Sequence, residues 1–360
     1  MELSNYGIVS EVNKDLESYF NDLNSFYSNF FELVKNRKCC PLVCQRFLNK
    51  FSLNKAKTVT YSYQTKKGIL WVEWLVCKVT EKKLVAIGKD VTCVKKFEPI
   101  IKAQNRILKL QNKNMLDSLK YAQGIQKSLL PNVASLKKLS NNFIIYEPKD
   151  IVSGDFYWFH QKDDFLFIAS IDCTGHGVPG ALMTVLSNTL LNEIIIHQEN
   201  TDPAQILKLL DEQLCKALKT NNRMIKDGLD IGLCRLDIIS KNLTFSGAFQ
   251  NVIVVKDKKI NRIKGGRFPI GYYPYLTKVF KNQTLSLKKG NRFYLYSDGY
   301  QDQFGGENNK KIGTKKVISL IEKKQKLTLQ QQKHFFKKYL KDWKAKEEQI
   351  DDILFMGFEI

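Results

Sequence analysis

Histidine is scarce in this chain, at four among 360 residues, and the eight cysteines are scattered. No CxxC pair recurs, and Cys39, Cys40 and Cys44 have no histidine at zinc-ligand spacing, so a structural zinc site is not expected. The cysteines read as reduced thiols of a cytoplasmic protein. The first residues, Met1–Tyr6, lack a basic region followed by an apolar core, so they do not read as a signal peptide. No apolar run looks long enough to span a bilayer, which excludes a membrane span on the sequence reading. Acidic residues are also in deficit: 36 against 57 Lys and Arg, a net charge of +21. Such a charge suggests nucleic-acid binding. Against that, the lysines fall in pairs along the whole chain, at 66–67, 82–83, 137–138, 258–259, 310–311 and 323–324, rather than in one arm. A lysine-rich solvated surface is the plainer reading, with no nucleic-acid partner.

What is present is ordinary globular composition, 43% hydrophobic and 26% charged, in a chain long enough for two domains. Three segments separate: 1–95, 96–130 and 131–360. The first has a helical pattern over Asn13–Phe31, then strand-like runs at Thr58–Tyr63, Leu70–Val79 and Leu84–Val91. The turn Thr80–Lys83 predicts a hairpin between the last two. In the second, Ile101, Leu108, Met115, Ala122 and Leu129 recur every seventh residue, diluted by Gln104, Gln111 and Ser118. This predicts one long helix ended by Pro131, either a coiled-coil linker that pairs two copies or a helix docked on a domain. The third alternates strands (150–160, 165–172, 229–237, 243–249, 252–256, 292–297, 353–359) with helices (179–197, 203–219, 315–323, 330–341). Hairpins beside paired helices indicate an α+β fold.

Chemistry concentrates in the third segment. A turn at Gln161–Asp164 would pair His160 with Phe165 and set Asp155 opposite Ser170, with Asp172 two residues further along the same face. Two carboxylates side by side repel each other, and a hard divalent cation removes the conflict. Gly175 and Gly177 then allow a sharp turn into a helix that opens near Pro179. Asp298 and the pair Asp351-Asp352 are further acids at strand ends. An all-oxygen set favours Mg²⁺ or Mn²⁺ over zinc.

The ordered set Ser153–Tyr157, Asp172–Ala181, Asp227–Asp230, Ser297–Gly299 and Gln349–Asp352 resembles the metal-dependent protein phosphatases (protein phosphatase 2C). The similarity is to the bacterial branch typified by the sporulation stage II E phosphatase, and it covers roughly residues 120–360, starting with an entry helix at Gln123–Pro131. It implies a sandwich of two antiparallel sheets flanked by helices, and hydrolysis of phosphoserine or phosphothreonine by water activated between two Mn²⁺ or Mg²⁺ ions. By position, Asp172 would bridge the metals, the Cys173 carbonyl would bind one, Asp298 and Asp351 would complete a shell, and Asp155 would hold a metal directly or through water. Asp352 is the alternative to Asp351. The family's eukaryotic histidine falls at Thr174 here. His176 is therefore out of register and is expected to hold the loop, leaving the general acid unassigned. The implied partner is a phosphorylated regulatory protein of the anti-sigma-factor-antagonist kind. Residues 5–17, Trp71–Trp74 and Ala86–Thr92 resemble, less specifically, a PAS sensory domain. A catalytically silent scaffold and a charge-driven nucleic-acid binder are the competing readings.

Overall fold

The computed structural model describes residues 2–3, 9–11, 56–65, 68–80, 83–132, 136, 141–218, 227–271 and 277–360. The predicted helix at 13–31 and the Cys39, Cys40 and Cys44 group lie outside them. The chain divides into two compact units, 1–113 and 114–360.

The first unit contains an antiparallel sheet of β1 (Glu2–Leu3), β2 (Val9–Glu11), β3 (Ala56–Thr65), β4 (Gly68–Thr80) and β5 (Lys83–Asp90), in the order β2-β1-β5-β4-β3. The expected hairpin forms, with Thr80 paired to Lys83. Helix α1 (Thr92–Leu129) starts earlier than residue 96 because its first turn is held: Asp90 Oδ1 accepts from the Thr92 N–H at 2.8 Å, and Thr92 Oγ1 accepts from the Trp71 N–H at 2.8 Å.

The second unit is a four-layer α+β sandwich. One five-stranded antiparallel sheet comprises β7 (Asp155–Lys162), β8 (Phe165–Cys173), β9 (Leu229–Asp237), β10 (Asn242–Ala248) and β13 (Gln283–Ser286), in the order β13-β10-β9-β8-β7. The other comprises β6 (Asn141–Glu147), β11 (Val252–Lys256), β12 (Lys259–Ile263), β14 (Arg292–Tyr296) and β17 (Ile353–Glu359), in the order β12-β11-β14-β17-β6. Helices α2 (Gly177–Asn192, extended by a π-turn over Glu193–His197) and α3 (Pro203–Ala217) cover the first sheet. Helices α5 (Thr314–Lys324) and α6 (Leu329–Lys344) cover the second. Between β14 and α5 lie the single turn α4 (Asp298–Asp302) and a small hairpin, β15 (Phe304–Gly305) with β16 (Lys310–Lys311).

The strands read as continuous apolar runs because both faces are covered. Along β8, Leu166 and Ile168 point between the sheets with Phe245, Leu295 and Met356, while Phe167, Ala169 and Ile171 point to α2 and α3 with Ile194, Leu207 and Leu210. The outer face of the second sheet packs Phe143, Tyr294 and Phe355 on Phe336 and Leu340 of α6.

Two expectations are corrected. The β7–β8 turn has two residues, Asp163 and Asp164, not four. Asp163 adopts φ 49°, which suits the right-handed twist of a tight hairpin and which aspartate tolerates. Pairing therefore runs on to Lys162↔Phe165, a register shift of two that keeps every side chain on its predicted face. Secondly, the stretch Gly177–His197 does reach spanning length, with mean hydropathy 1.2. Its apolarity serves the core: Met183, Leu191, Ile194 and Ile195 pack against the first sheet.

Candidate metal centre

The corrected register places acids in a row. Asp155 on β7 lies directly opposite Asp172 on β8, and Asp172 directly opposite Asp230 on β9. All three share the face that Ser170 and Leu166 present to the opposing sheet. That sheet brings its own acids to the same end. Strand β14 stops at Tyr296, Asp298 opens α4, and Asp351 immediately precedes β17.

Ser297 stitches the two sheets here. Its Oγ donates to Asp155 Oδ2 at 2.5 Å and accepts from the Leu354 N–H at 3.0 Å. Asp172 lies beside Asp155 across the ladder and feels the charge of Asp298 from the other sheet. Asp155 is sealed at 2% exposure, Asp172, Asp230 and Asp351 are half-buried, and Asp298 is exposed. The centre therefore opens toward Asp298.

The neighbouring aspartates 351 and 352 divide the work. Asp352 is 2% exposed, and both its oxygens are occupied: Oδ1 accepts from the Lys149 N–H and Oδ2 from the Gly154 N–H, each at 2.7 Å. Among the described residues, Asp351 Oδ1 accepts only from the Asp352 N–H, at 2.8 Å. Of the two, Asp351 has the oxygen to spare for a cation, and Asp352 is a brace. Close glycine packing sets the approach of these loops. A Cβ on Gly299 would lie 1.9 Å from the Asp352 carbonyl oxygen, and one on Gly154 would lie 2.4 Å from that of Gly175 and 3.1 Å from that of Cys173.

Burial and mutual repulsion raise these carboxyls. Asp155 is pushed well up by burial and then by the charge of Asp172; Asp172 is pushed well up by burial and then by Asp298 and Asp230. Burial, then Asp298, brings Asp230 to about 7. Asp298 is exposed as a residue, yet desolvation by the surrounding walls, then Asp351, brings its carboxyl to about 6. Among the described residues, no three His, Cys, Asp or Glu side chains are gathered into one ion's ligand sphere; the acids face each other in pairs, Asp155 with Asp172 and Asp172 with Asp230. This donor set, all oxygen and short of positive charge, fits a hard divalent cation.

The remaining residues of the predicted site fall around it. The Cys173 thiol is 3% exposed and is held neutral by burial, so only its backbone carbonyl is suited to a metal. Thr174 latches β8 to the segment before β9: its Oγ1 donates to the Gly228 carbonyl at 2.9 Å and accepts from the Gly228 N–H at 2.8 Å. His176 Nδ1 lies 2.6 Å from Asp150 Oδ2, and its Nε2 lies 3.0 Å from Lys149 Nζ. A lysine ammonium only donates, so Nε2 accepts and Nδ1 carries the proton. His176 thus ties the 149–150 loop to the start of α2.

Sequence reasoning placed Asp230 inside a motif but gave it no role. Its signal was an acid opening an otherwise apolar strand, and its facing partner depended on a long-range register. Ser297 and Asp352 were likewise not recognised as braces.

The fold is similar to that of known proteins. A family model described as "Stage II sporulation protein E (SpoIIE)" matches residues 162–360. The structure is similar to the PP2C domain of SiaA from Pseudomonas aeruginosa, with TM-score 0.64 and 32% identity over 69% of this chain and 98% of that one. The PP2C phosphatase domain of SpoIIE from Bacillus subtilis, with a fragment of its regulatory domain, gives TM-score 0.48 and 16% identity over 61% of this chain and 63% of that one. No curated protein sequence matches. A model match over more than half of the chain, on a sandwich with acids from both sheets at one end, identifies the chain as a member of the stage II sporulation protein E family of PP2C-type serine/threonine phosphatase domains.

Proposed function

We propose that this protein is a metal-dependent protein serine/threonine phosphatase that hydrolyses phosphoserine or phosphothreonine on a regulatory partner protein. The observation that carries the reading is the row Asp155, Asp172 and Asp230, faced by Asp298 and Asp351 from the opposite sheet. In it Asp172, placed between Asp155 and Asp298, would bridge two Mn²⁺ or Mg²⁺ ions. Asp298, Asp351 and the Cys173 carbonyl would complete the ligands, and Asp155 would act directly or through water. Bound there, the ions supply Lewis acidity, a nucleophilic water and neutralisation of phosphoryl charge. The chain's own contribution is positioning. Ser297 fixes Asp155, Asp352 fixes the 149–154 loop, and the glycine contacts hold the loops at one separation.

The partner is read as an anti-sigma-factor antagonist or a similar small regulator, on the resemblance to the sporulation and stress-response branch. Resemblance, and the consecutive antiparallel strands β3, β4 and β5, also support a PAS-like sensory role for residues 1–95, with 96–130 as linker and 131–360 as phosphatase. The exposed stripe of Ile101, Leu108 and Met115 on α1 supports pairing of two copies through that linker.

The test is phosphate release from p-nitrophenyl phosphate and from a phosphoserine peptide with Mn²⁺, Mg²⁺ or EDTA present. We expect activity with either metal, none in EDTA, and a loss of at least about 100-fold in Asp172→Asn, the order of one removed transition-state stabiliser. Full activity in Asp172→Asn, or in EDTA, would sink the reading.

A further inference from the structure

Among the described residues, Lys311 is a cation fixed in place on the side of the centre that opens to solvent. Helix α4 is a single turn whose first and last residues are Asp298 and Asp302. Residues four apart leave a helix on the same face, so the two carboxylates are neighbours. Directly after this turn the chain folds into the β15–β16 hairpin, where Phe304 pairs with Lys311. Lys311 Nζ is bonded to Asp302 Oδ2 at 2.6 Å and stands 5.8 Å from the centroid of the Phe304 ring. The ammonium is therefore held beside Asp298, the exposed acid.

The hairpin has little freedom to carry Lys311 elsewhere. The Gly306 N–H donates to the Trp343 carbonyl on α6 at 2.9 Å, and a Cβ on Gly305 would lie 1.9 Å from that same oxygen. The Gly313 N–H donates to the Gln301 carbonyl at 2.7 Å, closing the far end of the hairpin onto α4. Within this frame the Lys311 side chain is 48% exposed. An ammonium offers three protons, and the contact with Asp302 uses one.

We propose that Lys311 is a positioning residue for the substrate: its free protons bind a non-bridging oxygen of the phosphoryl group as the phosphoester enters past Asp298. This rests on the phosphatase reading above and adds to it the residue that orients the anion. The phosphoryl group is a dianion facing a centre lined with aspartates, so a cation at the entrance selects and steers it where carboxylates alone would repel it. The salt bridge to Asp302 keeps Lys311 extended toward the site rather than into water.

The experiment compares wild type, Lys311→Gln, Lys311→Arg and Asp302→Asn, each loaded with Mn²⁺. It measures kcat and KM on p-nitrophenyl phosphate, inhibition by inorganic phosphate, and the rise in Tm that inorganic phosphate produces. In Lys311→Gln, KM and the phosphate inhibition constant should rise about 10- to 100-fold, the worth of one hydrogen bond to a charged group. The Tm rise with phosphate should vanish, and Lys311→Arg should restore most of both. Asp302→Asn, which frees the ammonium but keeps it, should lower Tm without phosphate and weaken the phosphate response by less than Lys311→Gln does. The proposal is overturned if Lys311→Gln and Asp302→Asn lose Tm alike while KM and phosphate inhibition stay at wild-type values, for then the ion pair only holds the hairpin. A wild type that releases no phosphate with either metal overturns the phosphatase reading itself, a result distinct from an active wild type indifferent to Lys311→Gln.

Discussion

Asp351 and Asp352 are adjacent in sequence and differently bonded. Asp352 has both oxygens filled by the backbone N–H groups of Lys149 and Gly154, whereas among the described residues only one Asp351 oxygen accepts a hydrogen bond. Gly299 packs directly on this pair, and a methyl added to it would sit 1.9 Å from the Asp352 carbonyl oxygen and 3.4 Å from Asp351 Cβ. Gly299→Ala should therefore cost about 1–3 kcal/mol of stability, the scale of overpacking a tight site. It should also weaken Mn²⁺ binding by displacing Asp351. Thermal unfolding with and without Mn²⁺ checks both: a Tm unchanged in EDTA would show that the loop yields freely. At this scale the sequence was partly legible. Asp155, Asp172 and Asp298 announce themselves as acids at the ends of apolar strands. The choice between Asp351 and Asp352 was not legible, because consecutive residues diverge and only the partners at positions 149 and 154 separate them. Asp230 was not legible because its neighbour lies across a ladder between strands more than fifty positions apart in the chain.

Among the elements, the longer strands with two covered faces were the readable ones, except β6, whose buried Phe143, Ile144 and Ile145 went unrecognised. Strands β8, β9, β14 and β17 are nearly continuous apolar runs, and their bounds fall close to those expected. Strands β12 and β13, which went unrecognised, stand at sheet edges with exposed, polar residues such as Lys259, Arg262, Gln283 and Thr284. Register at β7–β8 was misread by two because the turn type turns on the φ of a single residue, Asp163. For α1, Ile101, Leu108 and Met115 are 54%, 53% and 62% exposed along one stripe. If two copies pair through it, wild type should elute as a dimer in size-exclusion chromatography with light scattering. The double variant Leu108→Glu with Met115→Glu should then elute as a monomer, with its activity on p-nitrophenyl phosphate intact. A wild-type monomer at micromolar concentration would refute the pairing.

For the molecule as a whole, the cluster of raised carboxyls links stability to pH. Asp230 rises to about 7 and Asp298 to about 6 from the ordinary 3.8. Below about pH 4 these groups are protonated in both folded and unfolded chains and contribute nothing. Between about pH 4 and 7 the unfolded chain releases protons that the folded one retains, so stability falls as pH rises, with the full penalty above pH 7. In EDTA, Tm should therefore be higher at pH 5 than at pH 8. Saturating Mn²⁺ should raise Tm at pH 8 more than at pH 5, and Asp230→Asn should flatten the EDTA profile. An EDTA profile with the same slope in Asp230→Asn as in wild type would refute this origin.

The sheet order β14-β17-β6 sets β17, latest of the three to be synthesised, between two strands made before it. Until β17 has left the ribosome, β6 and β14 have no partner to join them, and Asp351, just ahead of β17, is missing from the centre. A nascent chain can thus complete the first sheet, with its row Asp155, Asp172 and Asp230, and still have no working site. On the proposed reading, ribosome stalling upstream of Asp351 would therefore leave a partly built sandwich that lacks one of its metal-binding acids.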